Sequence, residues 1–136
     1  MPETYQHHHV VAEREIDALG RASNVAFIEW MLAAAVGHSA AQGWPTEAYL
    51  ERGSGWVVRS HRIEYRRPAL PGDRIVVETW VATMDAASSV RRYRILREGG
   101  DLLATAETCW AYIDFRSGRP TRIPPEVAGA FVVVER

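Results

Sequence analysis

Lysine is absent from this 136-residue chain, so all 16 basic side chains are arginines. Codon usage explains that more simply than function does, although each clustered arginine is still a possible bidentate phosphate ligand. Cysteine is scarce too. Cys109 stands alone, which excludes an internal disulfide and fits a reducing compartment. It lies in an alternating strand pattern with no neighbouring base, the setting of a small core residue. Excess charge is also missing: 16 basic against 17 acidic residues leave a formal net charge of −1. That offers no field suited to nucleic acid or to an anionic membrane. No apolar run approaches a membrane span, and the opening "MPETYQHHHVV" has no apolar signal core, so a cytoplasmic protein is expected. Repeats, low-complexity tracts and linkers are lacking as well. The expectation is one domain over residues 1–136.

What is present is a hydrophobic fraction of 47%, enough for a real core in an ordinary globular domain. From about Asn24 to Gln42 nearly every residue is apolar or small, including Val25, Phe27, Ile28, Trp30, Met31, Leu32 and Val36. A helix apolar on all sides is expected to be surrounded by protein. Ser23 fits as its N-cap, and Gly43 followed by Pro45 as its stop. Gly37 within it calls for close packing, since glycine costs a helix roughly 1 kcal/mol against alanine. The rest reads as strand: 6–15, 56–66, 74–84, 89–97 and 102–115. "PALPGD" at 68–73 is a turn, and "EGGD" at 98–101 a hairpin signal. Gly53 and Gly55 suggest a loop. The tail from Arg119 to Arg136, with its prolines, reads as an extended surface segment. Long antiparallel strands and one apolar helix imply an α+β fold, a curved five-stranded sheet wrapped around a central helix.

"HHH" at 7–9 invites a metal reading. In a strand His7 and His9 share one face while His8 points away, so three ligands cannot converge, and no metal site is expected. His38, on the apolar helix, reads as a core or interface residue. Glu29, the helix's lone acid, reads as exposed or at an interface.

"DALGRASNVAF", from Asp17 to Phe27, resembles the motif before the helix in 4-hydroxybenzoyl-CoA thioesterase-like hotdog proteins, commonly Asp-x-x-Gly-His-Val-Asn-Asn-x-x-Tyr. "SHRIEYRRPALPGDRIVVET" at 60–79 is similar to that family's second and third strands, and "PTRIPPEV" at 120–127 to its tail. The resemblance implies a single hotdog domain acting as an acyl-CoA or acyl-carrier-protein thioesterase that releases a free acid and a thiol. It implies that Asp17 is the catalytic carboxylate, as base or nucleophile. The backbone N–H of Asn24 would polarise the thioester carbonyl, with Gly20 letting the chain turn so that both face one point. The physics agrees, because the first helix amides lack internal partners and the dipole is positive there. Gly20, Ser23, Phe27, Arg66, Arg67, Ser88, Ser89 and Arg91 are the implied substrate-binding set, with the arginines suited to CoA phosphates or an acidic carrier protein. Trp30 and Trp56 are further candidate walls of an acyl pocket. No cofactor is implied, and a homodimer or tetramer is. Arg21, Ser23 and Phe27 depart from the motif, and Leu32 stands where many relatives carry Glu. Those departures keep open a non-catalytic thioester-binding module. An enoyl-thioester hydratase is disfavoured, because the histidine it needs five residues after Asp17 is Ala22 here.

Overall fold

The computed structural model of the protein describes residues 3–136. Strand β1 (Thr4–Val10) leads through a 3₁₀ turn (Glu13–Glu15) and a tight loop to helix α1 (Asn24–Ala41). Ser23 caps α1, its Oγ accepting from the Ala26 N–H at 3.1 Å, and Gly43 ends the helix region at φ +95°. A short helix α2 (Thr46–Arg52) follows, then β2 (Ser54–Tyr65), β3 (Arg74–Val81), β4 (Ser88–Arg97), β5 (Leu102–Asp114) and one turn of helix, α3 (Pro125–Ala128). The five strands pair antiparallel, in the order β1-β3-β4-β5-β2. Phe27, Trp30, Met31 and Ala34 of α1 pack on Ile75, Val77, Tyr93, Ile95 and Leu103 of the sheet. This is the expected hotdog architecture, a helix held in a curved five-stranded sheet.

Several local expectations are corrected. The first strand stops at Val10, because Glu15 Oε1 reaches back to accept from the Ala12 N–H at 2.9 Å and winds residues 13–15 into a turn. "PALPGD" does hold a turn, with the Asp73 N–H donating to the Leu70 carbonyl at 3.0 Å, but it lies on a crossover: β2 pairs with β5 at one edge while β3 lies beside β1 at the other. Residues 46–52, which belong to none of the expected elements, form α2, closed by Gly53 at φ +82°. The tail is not a surface segment. Ile123, Val127, Ala130 and Phe131 are buried against Val81, Tyr112 and Tyr49. Helix α1 is covered on one side only, and Val25 and Val36 remain 64% and 51% exposed within the single chain. Cys109 is only half-buried, because the fully buried place beside it belongs to Thr108 on the opposite face. His38 is in the core and Glu29 is exposed, as expected. So is the packing at Gly37, where an added Cβ would stand 2.8 Å from the Tyr5 hydroxyl.

Candidate active site

Residues 16–22 form a closed loop between the bridged pair Ile16 and Ala22. The Asp17 N–H donates to the Arg21 carbonyl (2.8 Å), and the Gly20 N–H to the Asp17 carbonyl (3.0 Å). Gly20 sits at φ +81°, a left-handed conformation that glycine adopts without strain. Asp17 is exposed and shapes its own turn, with Oδ1 accepting from the Leu19 N–H at 2.9 Å. Its other carboxylate oxygen makes no hydrogen bond among the described residues. One residue past this loop, the helix begins. Ser23 engages the Ala26 amide, so the amides of Asn24 and Val25 have no acceptor among the described residues. Both residues face solvent. Two unpaired N–H groups at the positive end of an 18-residue helix form a ready site for developing negative charge.

What holds this loop is a residue that sequence reasoning passed over. Glu15 is buried, and its carboxylate accepts from the Ala12 N–H (2.9 Å) and from Trp30 Nε1 (2.8 Å) while meeting His9 Nε2 at 2.7 Å. Its carbonyl accepts from the Ser23 N–H at 2.9 Å, so one residue ties β1, the 3₁₀ turn, the helix cap and the helix together. The only signal was an acid three residues after Ala12, the spacing of a capping box. The Ala22 N–H donates to the Ala69 carbonyl at 2.8 Å, which brings the β2–β3 crossover alongside.

The expected substrate-binding residues divide into two groups. Arg66 and Arg67, exposed on that crossover, lie at the Asp17 end of the molecule, with Arg66 3.8 Å from Glu64. Phe27 is also at this end, but it is core, 2% exposed and packed on Trp30 and Tyr65. Ser88, Ser89 and Arg91 belong to the opposite end. Arg91 bonds to His38 in the last turns of α1, which at 1.5 Å per residue is about 21 Å along the axis from Asn24. Within one chain the two groups therefore do not form one site. Ser89 is buried, its hydroxyl donating to the Thr83 carbonyl at 2.7 Å. Arg91 is no surface phosphate ligand: it is 6% exposed and turned inward, while Arg92 beside it faces out towards Glu107 and the Arg136 carbonyl. Burial pulls the Arg91 guanidinium below its ordinary pKa, with nearby Tyr93 and Tyr49 opposing that shift, yet an arginine stays charged in a protein.

A cavity of about 160 Å³ opens at this second end, between α1, α2, the sheet and the tail, and its lining includes Trp44, Tyr49, Trp56, Arg91 and Phe131. Trp56 is thus a wall of this cavity, while Trp30 lies in the core near Asp17. His9 engages Glu15, and no three His, Cys, Asp or Glu side chains among the described residues gather as metal ligands. No helix among the described residues is long and apolar enough to cross a membrane.

A family model described as the acyl-ACP thioesterase N-terminal domain matches residues 2–131. No curated protein sequence matches. Among solved structures, a hypothetical protein from Thermus thermophilus is 27% identical with a TM-score of 0.87, the match covering 93% of this chain and 96% of that one. A 1,4-dihydroxy-2-naphthoyl-CoA thioesterase from Synechocystis is 20% identical (TM-score 0.86; 93% and 94% covered). A candidate oleoyl thioesterase from Lactobacillus plantarum is 24% identical, with a TM-score of 0.89. The match covers 94% of this chain but spans only 50% of that longer protein.

Proposed function

Because the chain belongs to the acyl-ACP thioesterase family, we propose that it hydrolyses an acyl thioester to a free acid and a thiol. The observation that carries this reading is the loop from Asp17 to Asn24. It presents a carboxylate with one unbonded oxygen and, seven residues on, two unpaired amides at a helix N-terminus. As the carbonyl carbon becomes tetrahedral, its oxygen gains charge, and preorganised N–H donors stabilise that charge more than they stabilise the ground state. The Asp17 carboxylate supplies the nucleophile, either by taking a proton from attacking water or by attacking directly. Collapse of the tetrahedral species expels a thiolate, a leaving group that needs no dedicated acid. Single-turnover labelling with isotopic water reads the route: a general base puts solvent oxygen straight into the acid product, whereas a covalent anhydride opened by water at the Asp17 carbonyl puts it first into Asp17.

The proposed carrier is coenzyme A or an acyl-carrier protein, with Arg66 and Arg67 meeting its phosphates or acidic surface. Both guanidinium-bearing residues are exposed beside the loop that the Ala22–Ala69 hydrogen bond ties to the helix start. The proposed working form is a homo-oligomer. Edge strand β2 leaves Val57 and Val58 partly exposed, and α1 leaves Val25 and Val36 uncovered, surfaces that a second copy would bury. Free-thiol release from short, long and aromatic acyl-CoAs, and from the matching acyl-carrier proteins, tests the activity and names the substrate class. Light scattering of the purified chain tests the assembly.

A further inference from the structure

The cavity at the far end of α1 holds a cation that no described residue neutralises. Among the described residues no carboxylate lies within ion-pair distance of the Arg91 guanidinium. Its Nη1 donates to His38 Nδ1 (2.9 Å) and Thr79 Oγ1 (3.1 Å), which uses both hydrogens of that nitrogen. Nε and Nη2 make no hydrogen bond among the described residues, so the other edge of the fork is unpaired. Several of the cavity's other polar groups are satisfied by one another, while Trp110 Nε1 on the same wall is buried without an acceptor among the described residues. Trp56 Nε1 donates to the Tyr49 hydroxyl (3.1 Å), which pairs with Ser39 Oγ (2.8 Å), which in turn donates to the Trp44 carbonyl (2.7 Å). Ser89 is tied to Thr83. Six of the fifteen lining residues are aromatic, and Phe131 lies 5.9 Å from the guanidinium carbon. A buried charge with an open bidentate edge at the margin of an apolar space lacks an anion to complete it.

We infer that this cavity binds a small carboxylate, its apolar or aromatic body lying among Trp44, Tyr49, Trp56 and Phe131 and its oxygens pairing with Arg91. The volume sets the size. At about 160 Å³ it is close to the roughly 150 Å³ apolar cavity that accepts a benzene ring, so one ring or a short alkyl chain fills it. The same chemistry has two sources, a free monocarboxylic acid or the distal carboxylate of a dicarboxylic acid held as a monothioester. The inference does not rest on thioester hydrolysis, because the site is about 21 Å along α1 from Asn24 and its test reads binding.

Tryptophan fluorescence of the full chain titrated with sodium benzoate and with benzamide reads the first source. Benzoate is expected to bind saturably and about ten- to a hundredfold more tightly than benzamide, the contribution of a charge-assisted hydrogen-bonded pair. The CoA monothioester of terephthalic acid against that of its amide reads the second, by the same fluorescence. In R91M the carboxylate preference is expected to fall to within twofold. Because R91M could perturb folding, Leu50→Trp, at an exposed residue on the cavity lining, provides an independent block. It is expected to weaken benzoate at least tenfold while Arg91 stays in place. Preference for either carboxylate that is lost in R91M, with benzoate weakened at least tenfold by Leu50→Trp, supports the site and identifies its source. Equal binding of acid and amide in both pairs, or a preference that survives R91M, overturns it.

Discussion

Replacing Glu15 with glutamine keeps the shape of the side chain and changes what it can accept. In the protein, Oε1 faces the Ala12 N–H and Oε2 faces the indole N–H of Trp30, and both of those groups can only donate. A glutamine has one acceptor oxygen, so either placement leaves an NH₂ group against an N–H. With Trp30 2% exposed and Glu15 6% exposed, water cannot repair the loss. One buried unsatisfied donor costs about 1–3 kcal/mol, and here two donors are also forced together, so about 3 kcal/mol is expected. Unfolding entropy near 2.1 cal/mol/K per residue gives this 136-residue chain about 0.29 kcal/mol/K, and the loss becomes a drop in Tm of about 10 °C. The effect also depends on pH. Burial alone would raise the Glu15 pKa, but the hydrogen bonds from Ala12, His9 and Trp30, with the charge of His9, together hold it below the ordinary 4.5. A depressed carboxyl contributes stability that is present above the unfolded value and lost as the pH falls through the folded one. The gap between wild type and E15Q is therefore full at neutral pH and closes below pH 4.5, where Glu15 too becomes a donor. Thermal unfolding followed by circular dichroism at pH 7 and through the acid range measures both. A Tm change under 2 °C at pH 7, or a gap that persists unchanged in acid, refutes the role given to Glu15.

Other perturbations separate fold from chemistry. Ser23→Ala removes the cap on Ala26 and should cost about 1 kcal/mol, read as a Tm lower by 3–4 °C. Gly20→Ala should cost about 1–2 kcal/mol from its positive φ alone, since nothing stands within 4 Å of the new Cβ; denaturant unfolding checks it. Gly37→Ala should destabilise by about 1 kcal/mol despite its better helix propensity, because the Cβ displaces the Tyr5 ring from its stack on His38; chemical denaturation measures the net sign.

The sequence told most about elements whose own residues decide them. Helix α1 declares itself by its apolar run, its Ser23 cap and its Gly43 stop, and β4–β5 by the Gly99–Gly100 turn. Where a neighbour decides, local pattern misleads. All-round apolarity of α1 indicates that protein surrounds it, but among the described residues the face with Val25 and Val36 stays exposed. Tail residues Ile123, Val127 and Ala130 carry a helix-like spacing, yet the prolines at 120, 124 and 125 suggested an extended surface segment. Helix α2 was readable from Pro45, Glu47, Arg52 and Gly53, a complete set of start and stop signals hidden by the short span. For Arg91, strand parity with Tyr93 and Ile95 already pointed inward. Of the candidate site, the Asp17–Asn24 loop was legible because its residues are contiguous. Glu15 was not, because its partners come from three separate elements.

The central claim, thioester hydrolysis through Asp17, is tested most directly by kcat/KM for thiol release in wild type and Asp17→Asn. Asparagine keeps the oxygen that accepts from Leu19, so the turn and the Tm should be preserved. A fall of about a hundredfold or more in kcat/KM with an unchanged Tm is the predicted result. Release by Asp17→Asn at the wild-type rate would contradict the claim, as would tight binding of acyl thioesters by both proteins with no release by either, the behaviour of a binding module.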